Sequence, residues 1–201
     1  MKRYLYWPAL ALLLVSCAGQ APVPEDRFYE LALSRPVESS GQVPIDGAVE
    51  IAFTRADPLR NGRALLYRTA SEPLRVQRYR YEYWIDQPPR MVHYALVKYL
   101  RTAGVARSVD SAGQGKRADY RLQTRLTGFE QLRGKTGVEA LVSLEATLEK
   151  LPAGAVVWTK TYTAKSAAAD QQMESSVQAM SLALQDILGA LQTDLALETP
   201  R

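Results

Sequence analysis

Apolar side chains recur at every second position in several stretches of this chain and at every third or fourth position in two others, which separates strands from helices. Phe28-Tyr29-Glu30-Leu31-Ala32-Leu33 alternates as a strand, and Val49, Ile51 and Phe53 set a second apolar face at period two. Ala64 to Arg68 is a short apolar run. Leu74 to Ile85 predicts a longer strand, with Tyr79, Tyr81, Tyr83 and Ile85 on one face and Arg78, Arg80, Glu82 and Trp84 on the other. After Pro88-Pro89, the residues Met91, Val92, Ala95, Leu96, Tyr99 and Leu100 fall at helical spacing and Gly104 supplies a stop, so an amphipathic helix of about three turns is predicted. Val105 to Val109 reads as a short strand before a glycine-containing loop at Ser111 to Arg117.

The clearest alternation follows. Tyr120, Leu122 and Leu126, then Val138, Ala140, Val142, Leu144, Ala146 and Leu148, predict two antiparallel strands joined near Gly134 and Gly137. Pro152-Ala153-Gly154 turns the chain into a third strand from Val156 to Lys165, which completes a meander with one wet face per strand. Ala167 to Ala169 reads as a loop or helix start. Val177, Met180, Leu184, Leu188, Leu191 and Leu195 then form one stripe on a closing helix, which predicts packing on the sheet rather than a coiled coil. The expected fold class is α+β, a mostly antiparallel sheet with two helices packed on one face.

The first residues obey another pattern. Lys2 and Arg3 precede an apolar run from Leu5 to Val15, and Leu14-Val15-Ser16-Cys17 follows directly, the order of an exported precursor. The run contains Pro8 and is far shorter than the roughly 20 apolar residues a spanning helix needs. Leu14 to Cys17 resembles the bacterial lipobox, whose cysteine thiol receives a diacylglycerol, so cleavage is expected between Ser16 and Cys17 with a covalent lipid on Cys17. Two or more acyl chains at about 0.8 kcal/mol per buried methylene make such an anchor stable. Ala18, rather than Asp, follows the cysteine; by resemblance to the enterobacterial sorting pattern this points to the outer membrane. The chain thus divides into a signal peptide (1–16), a lipidated tether (17–26) stiffened by Pro22 and Pro24 that spaces the domain from the membrane, and a single α+β periplasmic domain (27–201).

Charge and candidate chemistry add little to this picture. Removing Lys2 and Arg3 leaves a surplus of two basic residues with no basic block, which gives no electrostatic case for nucleic acid. Cys17 is the sole cysteine and His93 the sole histidine, so neither a disulfide nor a His/Cys metal cluster can form. His93 reads as a structural histidine, because no Gly-x-Ser-x-Gly turn sets a serine beside it. A hydrolase would require His93 to meet an acid and a nucleophile. Glu139, Glu145 and Glu149 read as a solvated strand face, and no Walker-type glycine loop occurs. The interleaved arginines and aromatics from Arg75 to Trp84 read first as the two faces of a strand, and second as a protein-protein surface, since Tyr, Trp and Arg supply interface anchors.

Several pieces in order resemble the ABC-type transport auxiliary lipoproteins, a family that includes the lipoprotein component of the paraquat-inducible operon. These are Phe28-Tyr29-Glu30-Leu31 after the tether, Leu65-Leu66-Tyr67-Arg68, Tyr83-Trp84 ahead of Pro88-Pro89 and a helix with Leu96 and Leu100 before Gly104, and Ala179 to Leu184 in the closing helix. The resemblance covers nearly all of the mature chain. It implies a non-enzymatic subunit at the inner leaflet of the outer membrane. Its partner would be a mammalian-cell-entry (MCE) domain protein of an ABC-type system that moves lipid between membranes, with no cofactor beyond the lipid on Cys17. A cyclic homo-oligomer stays open. Arg78, Tyr81 and Trp84, with the Pro88-Pro89 corner, are the expected docking surface, because prolines pre-order the chain. The alternatives are an assembly factor or plug for an outer-membrane protein, and a lipoprotein hydrolase.

Overall fold

The computed structural model describes residues 24–34, 45–114 and 117–198. The expected signal peptide, its cleavage point at Ser16, the lipidated Cys17 and the tether up to residue 23 lie outside the described residues. In chain order the elements are β1 (Arg27–Tyr29), β2 (Ile45–Ile51), β3 (Arg55–Ala56), β4 (Ala64–Thr69), β5 (Glu72–Trp84), α1 (Pro88–Thr102), β6 (Ala106–Ser111), β7 (Tyr120–Arg133), β8 (Val138–Lys150), β9 (Ala155–Ala167) and α2 (Met173–Glu198).

Strand β7 organises the sheet. One of its edges is taken over its whole length by β8, antiparallel, and β8 carries β9 in turn, so the expected meander is present. Its other edge receives three short strands in succession, all parallel: β2 beside Tyr120–Leu122, β3 beside Arg125–Leu126 and β4 beside Gln131–Arg133. Outside these, β6 pairs parallel with β2, β5 antiparallel with β4, and β1 parallel with β5. The sheet is therefore open and mixed, which corrects the expectation of a mostly antiparallel one. The alternation of side chains reports which face of a strand is wet and is blind to the direction of its neighbour. The parallel pair β2–β6 has the crossover such a pair requires, through β3, β4, β5 and α1.

Both helices share one continuous core with the even-numbered side chains of β8, from Val138 to Leu148. Helix α2 lies along β8 and β9, and α1 along β6. Helix α1 runs for 15 residues, longer than expected, because Pro88 and Pro89 occupy its first turn, where a missing N–H costs nothing; Gly104 ends it at φ 65°. Strand β1 is shorter than predicted. From Glu30 to Ser34 the chain runs against α2 instead, with the Ala32 N–H donating to Ser181 Oγ (3.1 Å) and the Ser34 N–H to Gln185 Oε1 (2.9 Å). Helix side chains thus satisfy backbone donors that a neighbouring strand would otherwise take.

Bulges decide which face is buried. In β7 the register slips at Gly128, so that Leu126 opposes Leu144 while Phe129 opposes Val142. The core-facing positions consequently change from even (Tyr120, Leu122, Leu126) to odd (Phe129, Gln131), and Gln131 Nε2 donates to the buried Ser176 Oγ of α2 at 2.6 Å. Glu130 is turned to the other face and is itself buried. Strand β5 slips likewise between Arg78 and Tyr83, which places Trp84 in the core, tilted on Phe129 at 5.1 Å between ring centroids.

Two glycines give opposite predictions. A Cβ at Gly128 would lie 3.0 Å from Ser143 Cβ and 3.3 Å from its backbone nitrogen, so Gly128→Ala should destabilise by about 1–3 kcal/mol. A Cβ at Gly189 of α2 would meet only the Tyr99 hydroxyl, at 3.7 Å, so Gly189→Ala should stabilise by up to about 1 kcal/mol through helix propensity. Urea midpoints followed by circular dichroism measure both.

Candidate docking surface

The residues singled out around β5 separate into two groups. Arg78 is exposed and Tyr81 half-buried, on and beside the slip in β5, and Arg78 forms no ion pair among the described residues. Trp84 is 1% exposed, and Pro88 and Pro89 are buried at the start of α1. These three cannot offer surface, which corrects the expectation that they form part of a docking face. The cause is the slip itself: it turns the face carrying Trp84 inward, so Trp84 packs the core while Ile85, expected to share the tyrosine face, lies beyond the strand and exposed. Phe53 also falls outside its expected strand, with its ring 5.0 Å from that of His93.

What positions this corner is a carboxylate that the sequence pattern did not single out. Glu82, buried, receives hydrogen bonds from Arg27 and from the Tyr29 hydroxyl (2.8 Å), which fastens β1 to the edge of β5. Burial, and then the bond to Glu82, push the Tyr29 phenol above its usual range. The Ile85 N–H donates to the Tyr29 carbonyl and the Arg63 guanidinium to the Trp84 carbonyl, which closes the corner. A groove of about 900 Å³ opens between the segment from Glu30 to Ser34 and the half-exposed side of α1; Asp86, Met91, Tyr94, Ala95 and Lys98 are among the residues that line it.

A second buried carboxylate fills the break between β3 and β4. Glu130 is 1% exposed and is held by Arg60 (2.8 Å) and Arg68 (2.7 Å), while Arg60 also bonds Asp57 (2.6 Å). One of its oxygens accepts the Phe129 N–H at 3.1 Å, where no strand lies alongside. Gly128 was the available signal, since a glycine inside an alternating strand marks a bulge.

His93, on α1, is buried, and its Nε2 lies 3.1 Å from Ser111 Oγ at the end of β6. The serine that the hydrolase alternative requires is therefore present. No carboxylate bonds His93 Nδ1 among the described residues. Among the described residues no group of three His, Cys, Asp or Glu could hold a metal ion, and no helix is long and apolar enough to cross a membrane.

The architecture, an open mixed sheet with two helices on one side, recurs in solved structures. Protein XCC0632 from Xanthomonas campestris superposes with a TM-score of 0.73 at 18% identity, covering 83% of this chain and 92% of its own. An uncharacterised protein superposes at 0.67 and 13% identity (86% and 99%), and the hypothetical protein CT253 from Chlamydia trachomatis at 0.54 and 8% (76% and 97%). At these identities the likeness concerns the fold. No curated protein matches the sequence significantly. The chain belongs to the family of ABC-type transport auxiliary lipoprotein components, whose family model matches residues 29–191.

Burial holds the His93 imidazole below its ordinary pKa of 6.5, with the neighbouring Ala52 backbone acting the other way. As pH falls below that value the unfolded chain takes up a proton that the folded chain resists, so stability is lost on the acid side, by at most about 1.4 kcal/mol per pH unit. His93→Gln should flatten this limb of the stability curve, as urea midpoints at about pH 7.5 and about pH 5.5 will measure.

Proposed function

We propose that this protein is a non-enzymatic, lipid-anchored subunit of an ABC-type system that moves lipid between the inner and outer membranes. In this reading it is held through Cys17 in the inner leaflet of the outer membrane, faces the periplasm and contacts an MCE-domain partner. The observation that carries the reading is the family match over residues 29–191, which begins twelve residues after a cysteine placed at the end of a signal-like segment. The exposed Arg78 and half-buried Tyr81 are the residues through which the partner docks. Trp84, Pro88 and Pro89 act from inside, by fixing the corner on which that strand ends.

Growth with a labelled fatty acid should yield a labelled polypeptide, and Cys17→Ser should abolish the label. Purification of the tagged, lipidated protein in mild detergent should recover an MCE-domain protein. The double variant Arg78→Glu, Tyr81→Ala should reduce that recovery several-fold while the protein stays folded by circular dichroism, with the urea midpoint lowered only modestly. Full recovery with the double variant sinks the assignment of this surface. Recovery of an outer-membrane barrel, with no MCE protein, favours the assembly-factor alternative.

A further inference from the structure

We infer that the end of the sheet formed by the β4–β5 and β7–β8 turns is the surface that rests on an anionic lipid leaflet. The inference rests on the anchoring at Cys17 proposed above, adds an orientation to it, and sets aside the expectation that the tether spaces the domain from the membrane. The first support is direction. Because β1 is parallel to β5, with Arg27 beside Glu82 and Tyr29 beside Trp84, the chain enters β1 from the side on which β5 begins. That side holds Ala70 and Ser71 between β4 and β5, and Gly134 to Gly137 between β7 and β8, since Thr69 pairs with both Glu72 and Arg133.

The second support is length. From Ala64, opposite Tyr83, to Thr69, opposite Glu72, is five steps of β4, so this end of the sheet lies about 17 Å beyond the level of Phe28. The ten residues from Cys17 to Asp26 reach at most about 35 Å when fully extended. The acylated residue can therefore stand no more than about 20 Å past the tip, and any bend brings the two closer.

The third support is what the tip displays. Four residues of β5, Pro73 to Val76, oppose the single Arg68 of β4, and this bulge carries Leu74 outward at 93% exposure, the highest among the exposed large apolar side chains described. Beside it stand Arg75, next in β5, and Arg133 and Lys135 at the end of β7 and in its turn, all exposed. The acidic side chains at this end are Glu72, paired with Arg75 at 3.1 Å, Glu139, Asp170 in the loop before α2, and Glu174 in the first turn of α2, on the side of Arg27 and Tyr29. Three cations beside an exposed leucine match an interface in which phosphate headgroups neutralise the cations and the leucine leaves water.

The test uses the full lipidated chain. Acylation blocks the thiol of Cys17, so Ser71→Cys or Thr136→Cys gives a single dye site at the tip with Leu74 in place, and Ala153→Cys gives one at the far end. The proteins are reconstituted in phosphatidylcholine vesicles containing phosphatidylglycerol and a headgroup spin-labelled lipid. Quenching several-fold stronger at positions 71 and 136 than at 153 is expected. Charge reversal by Arg133→Glu with Lys135→Glu should weaken quenching at position 71, and the difference should vanish in phosphatidylcholine alone. Equal quenching at both ends, stronger quenching at 153, or no response to charge reversal overturns the inference. Dye uptake by the wild-type chain at Cys17 would overturn the anchoring reading together with it, whereas a dye-free wild type with an unquenched tip overturns the orientation alone.

Discussion

A β-strand has two edges, and those of β7 set the terms for the rest of the molecule. One is met by a single long antiparallel strand; the other is met by β2, β3 and β4, which follow it like one strand broken twice. The second break leaves a gap in the sheet, and the carboxylate of Glu130 fills it, accepting a backbone N–H and drawing in guanidinium groups from both sides of the gap. A buried anion of this kind is expensive to desolvate, and removing one partner of such a pair typically costs about 3–5 kcal/mol because an uncompensated charge remains. The Asp57–Arg60 turn is thus committed to one position, and β4, and with it β5, can only begin where the cluster ends.

This dependence extends to the corner near the tether. Strand β5 can turn Glu82 and Trp84 inward only because β4 stands in register with the end of β7, and only then can Arg27 and Tyr29 find a buried carboxylate to close on. The segment after β1 is held in turn by Ser181 and Gln185 of α2. The family match begins at this joint, at residue 29. The connection between the stretch ahead of the domain and the core is a built part of the fold, with polar bonds at each step.

Much of this was legible in the sequence. The β7–β8–β9 meander, the helix after Pro88-Pro89 and the closing helix follow from periodicity, because each buries one regular face against a common core. What periodicity could not reveal was the direction of pairing on the far edge of β7, since parallel and antiparallel neighbours demand the same alternation. The parity of β5 was also hidden. Its irregularities against β4 insert extra residues with no glycine to mark them, so Trp84 read as surface although it lies under Phe129. Glu82 and Glu130 were invisible for a related reason: a lone charged residue in a strand reads as solvated until its guanidinium partners, distant in sequence, are brought to it.

The parallel pairing of β1 with β5 also has a mechanical consequence. Tension applied to the residues ahead of Arg27 acts along the strand axis, so the inter-strand bonds are strained together in shear and do not peel apart one by one. The Glu82 carboxylate, which grips a residue at each end of β1, shares that tension with the backbone.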